Sequence, residues 1–280
     1  MPTTAKPITI GNVKIQPLLD VDARAPMTLL FPDVPKEAWE PYHEYFADDG
    51  ITAVLSISSF VVRSGGKTVL VDTGIGAKDR PFFPNGRLPD ALAEAGVRAE
   101  DVDIVLATHM HIDHIGWHTT RVGSELRPTF PNARHMFARA EWEYWTAPDV
   151  ANAKGNEHIV DSALPLEGRA AIDLVDGEQA ITDDLTLIPT PGHTPAHVSV
   201  GIVSEGEAGI IWGDVCHHPA QVTELWSPMF DMNPALARES RERLLQRIED
   251  ERRLVLAGHF AHPGVGRIVR VEGRRYWRAL

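Results

Sequence analysis

A layered α/β protein with mixed sheets is what this 280-residue chain predicts, on three observations. Short runs rich in Val and Ile recur between Gly, Pro and Asp breakers, as strands do. Helical patterns are fewer and lie between some of those runs but not others. The order therefore mixes β-hairpins with β-α steps, which favours mixed sheets over a doubly wound parallel sheet.

The expected strands are Ile51 to Val62, Thr68 to Val71, Ile104 to Ala107, Leu185 to Ile188, His197 to Val203, Gly209 to Trp212 and Leu254 to Leu256. The expected helices are Pro89 to Ala95, Arg139 to Trp145 and Pro234 to Asp250, the last with Leu236, Leu244, Leu245 and Ile248 on its buried stripe. Three segments rich in Pro, Gly or aromatic residues fit neither period: Ala23 to Gly50, Gly76 to Arg87 and Ala147 to Gly168. Irregular insertions serve as lids or pocket walls, or else as dimer contacts and surface decoration, so a homodimer stays open. No repeat, low-complexity tract or linker divides the chain, and a single domain over residues 1–280 is expected.

The length suffices to bury a substantial core. A single cysteine, Cys216, excludes an intrachain disulfide, and a cytoplasmic location is the default. Met1 to Gly11 lack an apolar run, and no stretch is long enough to cross a bilayer, so no membrane partner is expected. The net charge of −12, with basic residues scattered among acidic ones, speaks against nucleic acid. A small-molecule substrate, neutral or acyl, fits better.

After the strand Ile104 to Ala107 come Thr108 and then His109, His111, Asp113 and His114, closed by Gly116. Imidazole and carboxylate are the ligands of zinc and its first-row relatives. In extended chain His109 and His111 alternate, which aims both rings to one side. Asp113 and His114 are adjacent and diverge toward a second ion. Four such residues within six positions are too dense for ordinary surface or packing roles. Completing two sites needs distant donors, and three stand just past apolar strands: His193 in Pro191-Gly192-His193-Thr194, Asp214 in Trp212-Gly213-Asp214, and His259 after Leu254 to Gly258. Strand ends gather ligands because neighbouring strands hold them on a rigid frame.

With Val71-Asp72-Thr73-Gly74 upstream and single His, Asp and His downstream in order, the run His109 to His114 resembles the metallo-β-lactamase superfamily from about Ile51 to His259. The resemblance implies a four-layer αββα sandwich with two mixed sheets. It implies two divalent metal ions, zinc being the expected metal. One would be bound by His109, His111 and His193, the other by Asp113, His114 and His259, with Asp214 bridging them. Asp72 would orient a ligand imidazole, since a metal-bound His needs its other N–H fixed. An ordinary strand-end turn is the competing reading for Asp72.

Other residues tempt. Cys216 could bind zinc as thiolate, although a small buried hydrophobe is favoured. His262 could stand in for His259 but lies farther from the strand end. His43, His118, His135 and His158 are expected on the surface or in packing roles. Trp117, Trp226, Phe230 and Phe260 flank the motifs, either as core or as the lining of an apolar pocket.

Two close metals hold a bridging water as hydroxide near neutral pH and polarise a carbonyl or phosphoryl oxygen, which is the chemistry of hydrolysis. Asp113 and Asp214 are expected to orient the hydroxide and relay a proton. Within the superfamily, flavodiiron-type members carry Glu where His111 stands, and di-zinc β-lactamases carry Cys where Asp214 stands. Glyoxalase-II-type thioesterases add a C-terminal helical region for which little chain remains after His259, and RNA-processing members expect a basic surface. The lactonase and organophosphate-hydrolase branches remain. Acyl-homoserine lactonases place a Tyr three residues past the bridging Asp; here that residue is His217, which can donate to a developing oxyanion without itself binding metal. Methyl-parathion-hydrolase-like members are closer to the stretch Gly213 to His218. The sequence thus predicts a zinc-dependent lactonase or esterase with Asp113, Asp214 and His217 as catalytic residues. Phosphotriester hydrolysis is the alternative, and a metal-binding member of the fold without turnover is the reading from another class.

Overall fold

The computed structural model describes residues 3–78 and 84–280. The first half of the chain supplies β1 (Ile8–Ile10), β2 (Val13–Pro26), α1 (Met27–Leu30), β3 (Thr52–Ser64), β4 (Lys67–Val71), α2 (Leu88–Glu94), β5 (Ile104–Leu106) and α3 (Ile112–Ile115). A hairpin of β6 (Thr119–Val122) and β7 (Glu125–Pro128) follows, then β8 (Arg134–Ala138), α4 (Arg139–Thr146), α5 (Pro148–Ala151) and β9 (Ala171–Val175). The second half supplies β10 (Gln179–Ala180), β11 (Leu185–Pro189), β12 (Val198–Ser204), β13 (Glu207–Ile211), α6 (Ala220–Glu224), α7 (Pro234–Asp250), β14 (Leu254–Leu256), β15 (Val265–Val271) and β16 (Arg274–Ala279).

These strands form two seven-stranded sheets, ordered β1-β2-β3-β4-β5-β8-β9 and β10 through β16 in sequence. Both are mixed. In the first, β4, β5, β8 and β9 run parallel while β1 to β4 are antiparallel. In the second, only β13 and β14 are parallel.

The period of two along each central strand explains the layering. Phe60, Val62, Val69, Val71, Ile104 and Leu106 point between the sheets, where they meet Leu187, Val200, Ile202, Ile211, Leu254 and Leu256. Their neighbours Val61, Leu70 and Val105 point the other way, onto Leu88, Ala91 and Leu92 of α2. Ile210 and Val255 likewise face Leu244, Leu245 and Ile248 of α7. Strands buried on both faces read as unbroken apolar runs, which is why they were legible. The result is the expected four-layer αββα sandwich. Truncating a residue such as the fully buried Leu70 to Ala is expected to cost about 2–5 kcal/mol through lost transfer energy and the cavity left behind.

Asn233 caps α7 by accepting from the Leu236 backbone N–H at 3.1 Å, with Pro234 in the first turn. Its buried stripe is Ala237, Ser240, Arg241, Leu244, Leu245 and Ile248; Leu236, expected there, is only half-buried. The segment Ala23 to Gly50 is partly regular: Ala23 to Pro26 end β2, and α1 and a 3-10 stretch at Lys36–Tyr45 follow. Its Met27, Phe31, Trp39 and Tyr42 pack with Ala220 and Trp226, so the insertion walls the loop after β13. The segment Ala147 to Gly168 contains α5 and tight helical turns whose Ile159, Ala163 and Leu166 pack on Trp142 and Trp145. Of Gly76 to Arg87, residues 79–83 lie outside the described residues. Among the described residues no helix is long and apolar enough to cross a membrane.

Candidate metal centre

Five strand ends deliver the side chains that meet at one end of the sandwich: β4 leads to Asp72, β5 to His109 through His114, β11 to His193, β13 to Asp214 and β14 to His259. The Val198 N–H donates to the Thr108 carbonyl at 2.9 Å and the Ser58 N–H to the Gly258 carbonyl at 3.2 Å, tying the sheets together at that end. Gly213 is required beside the centre. Its φ is 59°, and a Cβ there would stand 2.5 Å from His197 Nε2.

Asp214 lies at the middle. Its Oδ1 is 3.2 Å from His114 Nε2 and 3.1 Å from His259 Nε2. Its Oδ2 is 3.2 Å from His193 Nε2, 3.6 Å from His109 Nε2 and 3.1 Å from His217 Nε2. His193 Nε2 also faces His111 Nδ1 at 3.0 Å, and Asp113 Oδ2 stands 3.5 Å from His259 Nε2 and 3.8 Å from His114 Nε2. All seven expected ligands therefore converge. Among the described residues they fall into two groups with donor atoms within 4.8 Å of one another, His109-His111-His193-Asp214 and Asp113-His114-His259. Asp214 Oδ1 faces His114 and His259 and its Oδ2 faces His193 and His109, with His259 Nε2 also 3.2 Å from Oδ2, so the carboxylate stands between the two groups.

Whether this cluster suits cations is decided by where its hydrogen bonds go. His114 Nδ1 donates to Asp72 Oδ2 at 2.9 Å, His193 Nδ1 to Asp231 Oδ1 at 2.9 Å, and His259 Nδ1 to the Ser56 carbonyl at 2.9 Å. His109 Nδ1 donates to the Thr108 hydroxyl at 3.1 Å, which in turn donates to Asp72. Each Nδ1–H is thus spent on an outer partner, leaving Nε2 as a lone pair aimed inward, the form a metal takes up. His109 Nε2, His114 Nε2 and Asp214 Oδ1 are buried without a hydrogen-bond partner, and as donor atoms grouped around one point they are the kind that a bound cation satisfies. The residues fit two divalent metals.

The electrostatics agree. Burial works against a charged His114, yet Asp214, Asp72 and Asp113 outweigh it and hold its pKa well above the usual imidazole value. The same contest at His193, with Asp214 and Asp231, ends with a pKa raised to about 9. Burial also opposes ionising Asp214, but His114, His259, His217 and His109 hold its carboxylate well below the usual range. Burial and the neighbouring imidazoles hold His109 and His111 well below the usual value, so it is the carboxylates of Asp72, Asp113, Asp214 and Asp231 that favour positive charge here.

His217 sits among these donors. It is 6 % exposed, its ring stacks on His259 at 5.1 Å between centroids, and its Nε2 joins Asp214 and His259 in a third group of donor atoms. Burial pushes its pKa below the usual value. Its backbone N–H and that of His218 both donate to Gln221 Oε1, at 2.6 and 3.1 Å. His218 turns away, stacked on Phe46 at 5.4 Å and edge-on to Trp39 at 5.3 Å.

The other tempting residues separate cleanly. Cys216 is buried with Trp212, Val215 and Leu244, and burial pushes its thiol up to about 12, far from the thiolate a metal needs. His262 joins none of the donor groups. His43 is exposed; His118 and His135 pair in the interior through their Nδ1 atoms at 2.8 Å, and His158 Nε2 donates to the Met110 carbonyl at 3.1 Å. Phe260 is core, Trp226 packs on the insertion, and Trp117 donates from Nε1 to Asp20 at 3.1 Å. Phe230 alone of the four aromatics is exposed, its ring 6.3 Å from that of His217. Sequence reasoning missed Asp231, Arg241 and His197, whose Nε2 accepts from the Asp214 N–H at 2.9 Å. Only Arg241 left a signal: a cation on the apolar stripe of a helix.

A sandwich of two mixed sheets with a His- and Asp-lined two-metal centre at its strand ends defines a class of metalloprotein. The chain belongs to the metallo-beta-lactamase superfamily, whose family model matches residues 52–259. A curated relative, an N-acyl homoserine lactonase from Bacillus sp, is 25 % identical over 173 residues, 62 % of each chain. The chain thus spans about 62 % of the length of that relative. Among solved structures, the hydrolase AbOPH of the beta lactamase superfamily superposes with a TM-score of 0.87 at 24 % identity over 100 % of this chain and 98 % of that one. AidC, a dizinc quorum-quenching lactonase, superposes with a TM-score of 0.83 at 20 % identity over 100 % and 99 %.

Proposed function

We propose that this protein is a metal-dependent hydrolase that opens a lactone or carboxylic ester at a dinuclear centre, with zinc as the metal. The carrying observation is the convergence of six other donor residues around Asp214, with the inward nitrogens of His109, His114, His193 and His259 freed by outer partners. The lactonase chemistry named for the Bacillus relative and for AidC supports the choice of substrate. We extend the proposal to one folding unit, supported by a core cluster that draws residues from both sheets.

Two divalent ions held here would supply an acidified water and Lewis-acid polarisation of the scissile carbonyl. The protein's own contribution is positional. Asp214, fixed at the centre, and Asp113, whose side chain is 20 % exposed, orient the attacking oxygen, and Asp113 is open to pass a proton to the leaving group. His217, whose Nε2 lies 3.1 Å from Asp214 Oδ2, is placed to turn that N–H toward the oxyanion that develops on the carbonyl. Leu29, Met229, Phe230 and Met232 are exposed, and Met229 and Met232 donate backbone N–H groups to the carbonyls of Leu30 and His193 at 2.7 and 3.0 Å. Phe230, whose ring is 6.3 Å from that of His217, and Met232 put exposed apolar surface beside the centre, which suits a substrate with an apolar substituent.

The test is a hydrolysis screen of lactones, aryl esters, thioesters and phosphotriesters on metal-reconstituted protein. Turnover of lactones or carboxylic esters that chelation abolishes is expected. Turnover of phosphotriesters alone would replace this reading with the organophosphate one, and loaded protein inert toward all four would leave a non-catalytic metal binder.

A further inference from the structure

Arg241 stands where the helical period of α7 demands an apolar residue, between Ala237 and Leu244 on the buried stripe. Its side chain is 1 % exposed and that of its partner Asp231 is 0 % exposed, with NH2 to Oδ2 at 3.2 Å. Placing both charges in the interior carries a large desolvation cost, and a hydrophobic pair of similar volume would serve stability as well or better. The pair therefore calls for another reason.

The contacts supply one. Asp231 Oδ1 holds His193 Nδ1 at 2.9 Å, while Arg241 Nε donates to the Val215 carbonyl at 2.6 Å and its NH1 to the Leu225 carbonyl at 3.3 Å. One guanidinium thus ties the residue after Asp214 to the carboxylate that orients His193, and these two ligands face each other across 3.2 Å. The loop carrying His193 is fastened to the same helix. Ser240 Oγ donates to the Pro191 carbonyl at 2.6 Å, and the Asn233 N–H donates to the Gly192 carbonyl at 2.8 Å. Gly192 has φ 126°, and a Cβ there would stand 2.1 Å from the Ala237 backbone N.

We propose that Asp231, held by Arg241, is a positioning residue whose effect falls chiefly on the metal position of His109, His111 and His193, while Arg241 also steadies the chain beside Asp214. The inference rests on the two-metal reading above. An outer carboxylate that fixes a ligand imidazole changes metal affinity by about ten- to a hundredfold. Asp72 fills that role for His114, whereas the Arg241-Asp231 pair acts on the other side of Asp214.

The test is a competition titration of the metal-stripped protein with Zn2+ against a calibrated chelator, alongside visible spectra of the Co2+-loaded form. Wild type is expected to bind two equivalents; saturation at one equivalent would undo the two-metal reading itself, separately from this inference. Asp231→Asn keeps an oxygen acceptor for His193 but loses the charge, and Arg241→Met removes the guanidinium. Asp231→Asn is expected to weaken one step by about ten- to a hundredfold, to alter one set of Co2+ bands and to leave the other step within about threefold. Arg241→Met, which also frees the Val215 carbonyl, is expected to weaken that same step more than the other. Arg241→Lys is expected to recover part of the loss. Should Arg241→Met fail to fold, Asp231→Asn and Arg241→Lys carry the test. Unchanged affinities, or two steps weakened in equal proportion along with the melting temperature, would overturn the inference and leave the pair purely structural.

Discussion

Asp72 reaches His114 from a left-handed backbone conformation, φ 59°, its Oδ2 2.9 Å from the imidazole Nδ1. A non-glycine residue there stores roughly 1–3 kcal/mol of strain, tolerated where the surroundings over-determine the position. Asp72 is over-determined: it accepts from the Thr108 backbone N–H at 2.7 Å and from the Thr108 hydroxyl at 2.9 Å. Asp72→Ala is therefore expected to weaken metal binding by about ten- to a hundredfold, chiefly in the step that involves His114. Chelator competition measures it. Unaltered affinity would reduce Asp72 to a turn residue.

The convergence on Asp214 predicts close to two metal ions per chain by elemental analysis and loss of turnover on strong chelation. Asp214→Ala removes a donor from both groups, whereas Cys216→Ala alters only a buried apolar site. The former is expected to lose activity by orders of magnitude more than the latter. Equal losses, or full activity with one ion or fewer, would count against the bridge.

The legible part of this molecule was the part written locally. His109 to His114 place four donors in six residues, and His193, Asp214 and His259 each follow an apolar strand buried on both faces, so pattern and position coincided. What stayed hidden depends on tertiary context. In β15 and β16 the charged residues Arg267, Arg270, Arg274, Arg275 and Arg278 mask the strand period at a sheet edge. Strand β2 is interrupted by the buried Asp20, and its register with β3 shifts between Leu19 and Val21. Asp231 and Arg241 were invisible as a pair because a helix and a loop, not a sequence spacing, bring them to His193.

Asp20 offers a pH prediction that involves none of the metal ligands directly. Its carboxylate is 2 % exposed and accepts from the N–H groups of Ile75 and Leu88 at 2.7 and 2.6 Å, without a cationic partner among the groups that bond it. Burial raises its pKa from 3.8 to about 6. Between those values the unfolded chain releases a proton that the folded chain retains, so the contribution of Asp20 to stability falls as pH rises. The total is about 3 kcal/mol, reached near pH 6 and constant above it. Denaturant melts of wild type and Asp20→Asn from pH 4 to 7 isolate this group. The stability of wild type relative to the variant is expected to decline across that window, and a pH-independent difference would show that Asp20 ionises normally.

The last prediction concerns His217, three residues after Asp214 and 3.1 Å from its Oδ2. Two roles compete at that spot. As an oxyanion donor, His217 would hold its proton on Nε2 and face the substrate; as a further ligand it would give up that proton to a metal. Its outward Nδ1 is buried without a partner, unlike the Nδ1 of His109, His114, His193 and His259, each of which has an oxygen to donate to. Four of the five ligand imidazoles have such an anchor, and His217 has none. The donor role is therefore favoured, and burial, by lowering its pKa, keeps the ring neutral near pH 7. His217→Ala is expected to retain its metal content and lose turnover by roughly ten- to a thousandfold, the range for one oxyanion donor or acid-base group. His218→Ala, altering a ring enclosed by Phe46 and Trp39, is expected to affect stability before turnover. Metal analysis and kcat on both variants separate the cases: loss of an ion from His217→Ala would make it a ligand, and wild-type turnover would remove it from the mechanism.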